Sequence, residues 1–507
     1  MKSANRGWSR RGVARRALLA RLALAALLPL AASVAGVPRS LHLTVLHTND
    51  LHGHLLPFDQ ENPALWRGEA RGVGGAARRA TLIRRLRASA RNPVVVIDAG
   101  DVFTRGPLAI RYRGLADIEA LNATGYDLAC IGNNEFKARD AIEQNDASGA
   151  QSDLLQVVKR SRFPWLCANV TDERGALLEG VQPYVVREFD GVRVGFLGLT
   201  APRSAGYPQT RGLRFAGPVE SARTWVPRAR AFCDVLIAVT HIGVELDRAL
   251  AASVPGIDAI VGGDSHTILT APLVVTSPDG RTVPIVQAGE FGAALGRLDL
   301  HFERGADGWR LASHRGELLP VTARLPADRA VERALAPYLR PMLVPAGRLE
   351  SVGTTRDERM AATTRALVEA LRHGTTADVA MNPAGAGMFE PFPGERVTVY
   401  DVYAAMPFRN RVVVADLTAG ELARLVAAKP GPTSPPTLPA FPADRAVRVA
   451  LVDYVAVSAY GLPAERLRDT GVEVQEATLR WLASRSAAPA ARSPVAPRWA
   501  VRAGVRP

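Results

Sequence analysis

The stretch Leu43-Thr-Val-Leu-His-Thr-Asn-Asp-Leu-His52 leads from a predicted strand into two side chains that commonly bind metals, Asp50 and His52. A second apolar run, Pro93 to Asp98, is rich in β-branched residues and predicts a strand buried on both faces, followed by Gly100-Asp101. Active loops in layered α/β folds lie at the carboxyl ends of strands. We therefore predict one shared site. Three further segments place ligand-type residues behind an apolar run: Gly132-Asn-Asn-Glu135, Thr240-His241 and Gly262-Gly-Asp-Ser-His266.

Apolar runs alternate with helix patterns from Leu41 to about His301, an order typical of an α/β fold. Gly74 to Ala90 predicts one of the helices, and Asp190-Gly191 between two apolar runs predicts a hairpin turn. The predicted boundaries are 41–324 for the first domain, 325–348 for a helical connector, 349–484 for a smaller α/β domain and 485–507 for a disordered basic tail.

The N-terminal residues predict an export signal. A positively charged region with Arg10 and Arg11 precedes an apolar run from Leu22 to Ala35, and together they predict a signal peptide at residues 1–36. Ser9-Arg10-Arg11 resembles a twin-arginine signal, while a general secretory signal and an uncleaved anchor are the alternatives. All three predict a periplasmic or extracellular protein, and no stable membrane span is expected after signal removal.

The formal net charge of +14 does not predict a nucleic-acid-binding protein. Residues 1–40 hold eight Lys and Arg residues and no acid, so the rest of the chain carries +6 (14 − 8). Basic residues do not alternate with aromatic ones, so no nucleic-acid polymer is expected as a partner. Cys130, Cys167 and Cys233 are sparse and lie in apolar surroundings, which predicts buried free thiols.

The strand-end segments supply the ligand types of a two-metal centre for phosphoester hydrolysis. Two divalent ions about 4 Å apart can activate water at neutral pH and neutralise charge on the transferred phosphoryl group. Such a pair requires a carboxylate that binds both ions, and Asp101, which follows a strand and a glycine, suits this role. The first ion position is predicted to comprise Asp50, His52, Asp101 and His266. The second ion position is predicted to comprise Asp101, Asn133, His241 and Asp264.

A family resemblance follows from five motifs: Leu46-His-Thr-Asn-Asp-Leu-His-Gly53, Asp98-Ala-Gly-Asp101, Gly132-Asn-Asn-Glu-Phe136, Thr240-His-Ile-Gly243 and Gly262-Gly-Asp-Ser-His-Thr267. They resemble the 5'-nucleotidase family of calcineurin-like metallophosphoesterases, which includes bacterial UDP-sugar hydrolases. The resemblance extends from about Leu43 to Leu482. It implies a four-layer α/β/β/α metallophosphoesterase domain, a smaller 5'-nucleotidase-type α/β domain that binds substrate, and the ligand positions given above.

Two residues depart from the family pattern. Asn134 stands where the family has a histidine that donates to the phosphate; asparagine cannot transfer a proton, although its amide can donate a hydrogen bond. General acid help contributes about 10²–10⁴-fold, so its loss favours substrates with good leaving groups. Asp264 replaces a metal-binding histidine and favours harder ions, Mn²⁺ or Mg²⁺ over Zn²⁺. We therefore predict a modified site with Asn134 and Asp101 as catalytic residues.

The resemblance is weaker in the second domain. Pro407-Phe408-Arg409-Asn410 matches a family motif whose aromatic ring stacks on a base, although Phe408 as a core residue is the alternative. The family's substrate-binding arginine is absent, and Gly387-Met388-Phe389 stands in its place. The predicted substrate-binding residues are Asn382, Phe408, Arg409, Asn410 and Tyr460.

These observations predict an exported dinuclear-metal phosphoesterase that hydrolyses nucleotides or related phosphoesters. The expected cofactors are two divalent ions, drawn from Mn, Zn, Mg and Fe. The expected partner is a small-molecule phosphoester, and the chain is expected to be a monomer. Two alternatives remain open: a non-catalytic ligand-binding homologue, and a sulfur-compound hydrolase of the same family.

Overall fold

The computed structural model describes residues 39–59, 71–137, 147–206, 210–442 and 445–485. The predicted signal peptide at residues 1–36 and residues 486–507 of the predicted tail lie outside the described residues. Across the described ranges, no helix combines the length and the apolar character needed to cross a membrane.

Strands and helices alternate through the first half of the chain. The strands here are β1 (Ser40–Thr48), β2 (Val94–Asp98), β3 (Leu128–Cys130), β4 (Trp165–Leu166), β5 (Val170–Asp172), β6 (Val181–Gln182), β7 (Tyr184–Phe189), β8 (Val192–Thr200), β9 (Leu213–Phe215), β10 (Val235–His241), β11 (Ala259–Val261), β12 (Leu273–Thr276), β13 (Thr282–Val286), β14 (Ala294–Gly305) and β15 (Gly308–Pro320). The helices are α1 (Ala76–Ser89), α2 (Pro107–Tyr112), α3 (Leu115–Thr124), α4 (Ala147–Arg160), α5 (Pro218–Arg230) and α6 (Val244–Ser253).

Two sheets bring the predicted site together. One has the order β15-β14-β1-β2-β3-β4-β6, with parallel pairing from β1 through to β6 and antiparallel pairing of β14 and β15. The other has the order β12-β13-β11-β10-β8-β7, with β13, β11, β10 and β8 parallel. Parallel neighbours end at the same edge of a sheet, so the loops that follow them lie close together.

Hydrophobic side chains form the layers between these elements. The central layer joins the facing sides of the two sheets and includes Val45 and Phe196. The outer face of the first sheet packs on helices through residues such as Ile83 of α1. The outer face of the second sheet packs on α5 and α6, the latter through Leu250. Each such buried side chain contributes about 1.5–3 kcal/mol. The predicted α/β/β/α order of layers is thus confirmed.

The predicted hairpin turn at Asp190-Gly191 is also confirmed. It joins β7 to β8, whose pairing begins at Phe189 and Val192 on either side of the two turn residues. Both turn residues have positive φ, 49° at Asp190 and 78° at Gly191. That geometry is typical of a type I′ turn, which matches the twist of the paired strands and favours the Asp-Gly sequence.

The second half of the chain forms a smaller α/β unit. Its strands are β16 (Pro345–Arg348), β17 (Val379–Met381), β18 (Arg396–Thr398), β19 (Arg411–Thr418), β20 (Thr433–Ser434), β21 (Ala446–Val452) and β22 (Arg468–Glu473). Its helices are α7 (Arg329–Leu339), α8 (Arg356–His373), α9 (Val399–Ala405), α10 (Ala419–Ala428), α11 (Asp453–Ser458) and α12 (Val474–Ser484). A sheet of order β20-β17-β21-β19-β22 carries a hydrophobic cluster whose buried members all lie between residues 349 and 482.

The connector predicted to be helical over residues 325–348 is helical only in part. α7 ends at Leu339, a short 3-10 turn follows, and β16 at the end of the connector pairs antiparallel with β18. Pro341 and Pro345 lack the backbone N–H that a longer helix would use, although α7 accommodates Pro337 inside it. The free thiols predicted at the three cysteines are confirmed, since all three are buried and unpaired.

Candidate metal centre

The candidate metal centre lies where the loops after several parallel strands meet. Backbone hydrogen bonds join the loops after β1 and β2: the N–H of Asp50 donates to Gly100 O, and the N–H of His52 donates to Asp101 O, both at 2.9 Å. Position 100 requires glycine, because its φ is 97° and a Cβ there would lie 2.8 Å from Nδ1 of His241. The backbone itself therefore fixes the spacing of the ligand-bearing loops.

Five of the predicted ligands have a left-handed backbone. The φ values are 51° at Asp50, 47° at His52, 58° at Asp101, 84° at Asp264 and 52° at His266. Non-glycine residues rarely adopt this conformation, which costs of order 1–3 kcal/mol each and is concentrated at functional sites. The left-handed conformation turns the backbone sharply at each of these residues, and the turns direct the side chains toward one point.

Asp50, His52 and His266 form the first group of possible metal ligands. Nε2 of His266 lies 3.2 Å from Oδ1 of Asp50 and 3.2 Å from Nε2 of His52. One ligand atom from each residue falls within 4.8 Å of the others. Oδ1 of Asp50 is buried without a hydrogen-bond partner among the described residues. An orphaned carboxylate oxygen beside two imidazole nitrogens suits a divalent cation.

Asp50, Asp101 and His241 form the second group. Nε2 of His241 lies 3.3 Å from Oδ1 of Asp101 and 3.8 Å from Oδ1 of Asp50. The other carboxylate oxygen of Asp101 lies 3.8 Å from Nε2 of His52, in the first group. The Asp101 carboxylate therefore reaches both groups, as a bridging ligand must.

Two of the histidines are oriented by acceptors on their other ring nitrogen. Nδ1 of His266 lies 2.6 Å from Oε2 of Glu290, and Nδ1 of His241 lies 2.8 Å from the carbonyl oxygen of Ala99. Such partners direct Nε2 toward a metal and increase its basicity. Sequence reasoning missed Glu290, although it follows β13 and thus lies beyond another parallel strand.

Asp101 is held by the segment that follows β3. The backbone N–H of Asn134 donates to Oδ1 of Asp101 at 2.7 Å, and its side-chain amide donates to Oδ2. Glu135 accepts from the backbone N–H of Asp101 at 2.9 Å and of Val102 at 2.8 Å. Burial, followed by the charge of Asp101, raises the pKa of Glu135 to about 8. The side chain of Asn134 thus positions Asp101 here, and its contact with a phosphate stays a prediction.

Asn133 and Asp264 both contact a residue that sequence reasoning missed, Arg203. Its Nη2 donates to Oδ1 of Asn133 at 3.0 Å, and its guanidinium forms two hydrogen bonds with the Asp264 carboxylate, one of them 2.8 Å from Nη1 to Oδ2. Burial raises the pKa of Asp264, while His241 and Arg203 lower it. Arg203 follows β8, and no local sequence signal links it to the motif around Asp264.

The protonation of the histidines follows from their surroundings. Burial lowers the pKa of His52 to about 4, so this imidazole is neutral at pH 7, as metal binding requires. Burial also opposes protonation of His266, but Asp50 and Glu290 outweigh it and raise its pKa to about 10. Burial is likewise outweighed at His241 by Asp101 and Asp50, which raise its pKa. A metal cation competes with protons for such nitrogens.

The aromatic and charged residues predicted to bind substrate in the second domain have different surroundings. Phe408 is half-buried. Arg409 forms an ion pair with Glu473, and only 10% of its side chain is exposed. Tyr460 is 8% exposed and belongs to the hydrophobic cluster of the second half. Of the two aromatic residues, Phe408 is the more exposed.

The two predicted asparagines are buried, and each lies beside the loop that follows β17. The side-chain amide of Asn382 donates to two carbonyl oxygens of its own loop, those of Pro383 and Ala386, at 2.9 Å each. The same loop continues to Gly387, where a Cβ would lie 3.9 Å from Nδ2 of Asn410. Asn382 therefore shapes the loop, and a substrate contact by either asparagine stays a prediction.

The donor set fits the two ion positions unequally. At the first ion position the ligand atoms converge, and Asp50 Oδ1 accepts no hydrogen bond from any residue that the structure describes. At the second ion position, Nε2 of His241 is buried without a hydrogen-bond partner in the described part of the chain. Asn133 and Asp264, however, are engaged by Arg203. The residues thus fit one divalent ion directly, and a second only if Arg203 moves.

Comparison with known proteins agrees with this geometry. Residues 43–267 match the calcineurin-like phosphoesterase family. The 5'-nucleotidase of Rattus norvegicus is 32% identical over 331 residues, which make up 61% of this chain and 54% of the relative. The chain spans about half the length of the curated relatives it matches.

Solved structures extend the similarity across both halves of the chain. A 5'-nucleotidase precursor from Thermus thermophilus is 28% identical, with a TM-score of 0.64 over 87% of this chain and 96% of that one. The sulfate thiohydrolase SoxB of Thermus thermophilus, 20% identical, shares the fold with a TM-score of 0.58 over 87% of this chain and 94% of its own. The predicted resemblance is confirmed: residues 43–267 match a calcineurin-like phosphoesterase domain, and the homologues of the chain include 5'-nucleotidases.

Proposed function

We propose that this chain is a metal-dependent phosphoesterase that hydrolyses nucleotides or related phosphoesters outside the cytoplasm. The observation that supports it most directly is the convergence of Asp50, His52 and His266 with Asp101 around an orphaned carboxylate oxygen. Mn²⁺, Zn²⁺, Mg²⁺ and Fe are the candidate ions, and the imidazole-rich first ion position admits a transition metal.

A divalent ion bound there would polarise a phosphoryl oxygen and make water a stronger nucleophile near neutral pH. The protein's part is to hold the ligands rigidly. Glu290 orients His266, while Glu135 and Asn134 keep the Asp101 loop in its left-handed turn. Because Asn134 cannot donate a proton to a leaving group, we propose that the enzyme prefers esters whose leaving groups depart without one.

The nucleotide part of the proposal is supported by the 5'-nucleotidase relatives and by the half-buried ring of Phe408. An aromatic ring stacked on a base contributes about 1–3 kcal/mol. The small second unit, with its own hydrophobic core, provides a separate body on which such a ring can be carried. We also propose export, which is supported by the signal-like residues 1–36.

A second candidate function is ligand binding without catalysis. It is favoured by one specific feature, the engagement of Asn133 and Asp264 by Arg203, which leaves fewer free ligands than a two-metal hydrolase requires. In that case the chain would bind a phosphoester or its metal complex and release it unchanged.

A hydrolysis panel distinguishes the two functions. Full-length protein with added Mn²⁺ is assayed on nucleoside monophosphates, a nucleotide sugar and an aryl phosphate with a good leaving group. Hydrolysis is followed as phosphate release from the monoesters and as formation of the nucleoside monophosphate from the nucleotide sugar. Hydrolysis by the wild type that is lost in Asp50→Asn supports the phosphoesterase. If neither the wild type nor Asn134→His hydrolyses any of these esters, while a nucleotide still binds by calorimetry, the ligand-binding function stands instead.

A further inference from the structure

Adjacent strands bring Arg203 and His241 to the same place. Thr200 at the end of β8 pairs in parallel with His241 at the end of β10. Arg203 comes three residues later, in the 3-10 turn Pro202–Gly206. A cationic side chain therefore lies at the strand-end edge of the sheet that carries the second ion position.

The guanidinium of Arg203 contacts two of the three ligands that are specific to the second ion position, Asn133 and Asp264. It donates to Asn133 and pairs with both oxygens of Asp264. Oδ1 of that carboxylate is also 3.5 Å from Nε2 of His241, so it faces the centre and not bulk solvent. The side chain of Asp264 is only 4% exposed. The arginine thus binds the inner donor atoms, which a metal would otherwise take.

We propose that Arg203 supplies the positive charge of the second ion position, so that this chain binds one divalent ion tightly instead of two. The inference rests on the proposed function in one respect, that the first ion position binds a metal. Asp264 suits the replacement of a metal ion by a guanidinium. A carboxylate can accept two parallel N–H hydrogen bonds from a guanidinium, whereas a histidine cannot.

The charges at the centre agree with one ion and one arginine. Among the predicted ligands, the carboxylates of Asp50, Asp101 and Asp264 carry three negative charges, which one divalent ion and Arg203 balance. Before substrate binds, a second divalent ion would leave an excess of two positive charges among these groups; Glu290, which is not one of the predicted ligands, pairs with His266. The side chain of Arg203 is 55% exposed, so its remaining N–H groups can also reach a phosphoryl oxygen from the solvent side.

Counting bound Mn²⁺ tests the proposal without any activity assay. Metal-free protein is titrated with Mn²⁺ by calorimetry, metal content is measured after desalting, and EPR spectra separate isolated from paired ions. The wild type is expected to bind one tight ion with an isolated-ion spectrum. In Arg203→Gln a second ion is expected to bind at least about tenfold more tightly than in the wild type, because a like charge within a few ångströms has been removed.

Arg193→Gln is the matched control. Arg193 also makes two hydrogen bonds to one aspartate, Asp234, and is exposed to a similar extent, but it lies outside the centre. Its variant should keep the single tight ion of the wild type. The double variant Arg203→Gln/Asp264→His, which introduces the ligand that the family resemblance implies, should show two tight ions and an exchange-coupled EPR spectrum.

Two results would overturn the proposal. One is a wild type that binds two Mn²⁺ ions with similar affinity; the other is an Arg203→Gln variant whose second ion binds no better than in the wild type. A wild type that binds no Mn²⁺ at all would instead overturn the proposed function, and with it this inference. Thermal unfolding of each variant confirms that the folded protein is being titrated.

Discussion

The two ion positions of the metal centre have similar ligand types, but their ligand atoms face different protein groups. At the first ion position, an orphaned oxygen of Asp50 faces two imidazoles, and Glu290 fixes one of them from behind. At the second ion position, Asp264 and Asn133 face a guanidinium. Sequence motifs alone do not separate these cases, because a ligand is defined by what it faces as well as by its own chemistry.

Removing Asp50 should have the largest effect, because it belongs to both ligand groups. Asp50→Asn keeps the volume of the side chain but removes its negative charge and replaces one of its two acceptor oxygens by an amide nitrogen. We expect the tight Mn²⁺ site to be lost and phosphoester hydrolysis to fall by about 10³-fold, since a Lewis-acid ion contributes several kcal/mol. Calorimetry and a phosphate-release assay measure the two effects. Normal Mn²⁺ affinity in this variant would contradict the assignment of the first ion position.

Asn134→His should have the next largest effect, and of opposite sign. The imidazole can donate a proton where the amide cannot, so we expect turnover of esters with poor leaving groups to rise by about 10²-fold, the lower end of general acid catalysis. Turnover of the aryl phosphate should change much less. Asn122→His, on α3 outside the centre, is the control. An equal rise for both leaving-group classes would argue that Asn134 acts only by positioning Asp101.

Glu290→Gln tests whether Glu290 only orients the ligand His266 or binds the metal itself. The amide keeps the shape but loses the charge that pairs with Nδ1 of His266. Loss of such a partner costs about 10–100-fold in metal affinity, so Mn²⁺ should bind more weakly at unchanged stoichiometry. Glu303→Gln changes an exposed glutamate near His301 and should have no effect. A change in the number of bound ions would show that Glu290 is itself a ligand.

The sequence predicted the strand ends and the ligands on them because both are local signals. An apolar β-branched run followed by Gly-Asp, as at Asp101, specifies a buried strand and a polar residue just beyond it. The order of the strands in a layered fold then brings the ends together. For the same reason Asp190-Gly191 correctly predicted its turn.

Arg203 and Glu290 could not be predicted in this way, because their roles arise only from tertiary pairing. Arg203 is 61 residues from Asp264 in sequence, and the two meet because the strands that precede them, β8 and β11, lie on either side of β10 in the sheet. In the sequence, Arg203 and Glu290 look like ordinary charged residues in surface loops. Tyr460 shows the converse case, in which a residue chosen by motif lies in a hydrophobic cluster.

The smallest predicted effect tests whether an orphaned buried carboxylate is by itself a sign of a metal site. Asp117 on α3 is buried, and neither of its oxygens accepts a hydrogen bond from another residue in the described ranges, much like Oδ1 of Asp50. It has no convergent imidazoles, and burial raises its pKa to about 8. The folded state therefore holds this proton at neutral pH, whereas a metal ligand would have to release it.

Asp117→Asn should consequently leave Mn²⁺ binding unchanged and alter only the pH dependence of stability. In the wild type, the folded state binds more protons than the unfolded state between about pH 4 and about pH 8, so the contribution of Asp117 to stability declines as the pH rises through that window. The amide removes this decline. Relative to the wild type, the unfolding free energy of the variant should therefore rise by roughly 1 kcal/mol per pH unit from about pH 5 up to about pH 8, measured by urea denaturation. A parallel pH dependence of the two proteins, or a loss of Mn²⁺ binding, would show that Asp117 is ionised and coupled to the metal centre after all.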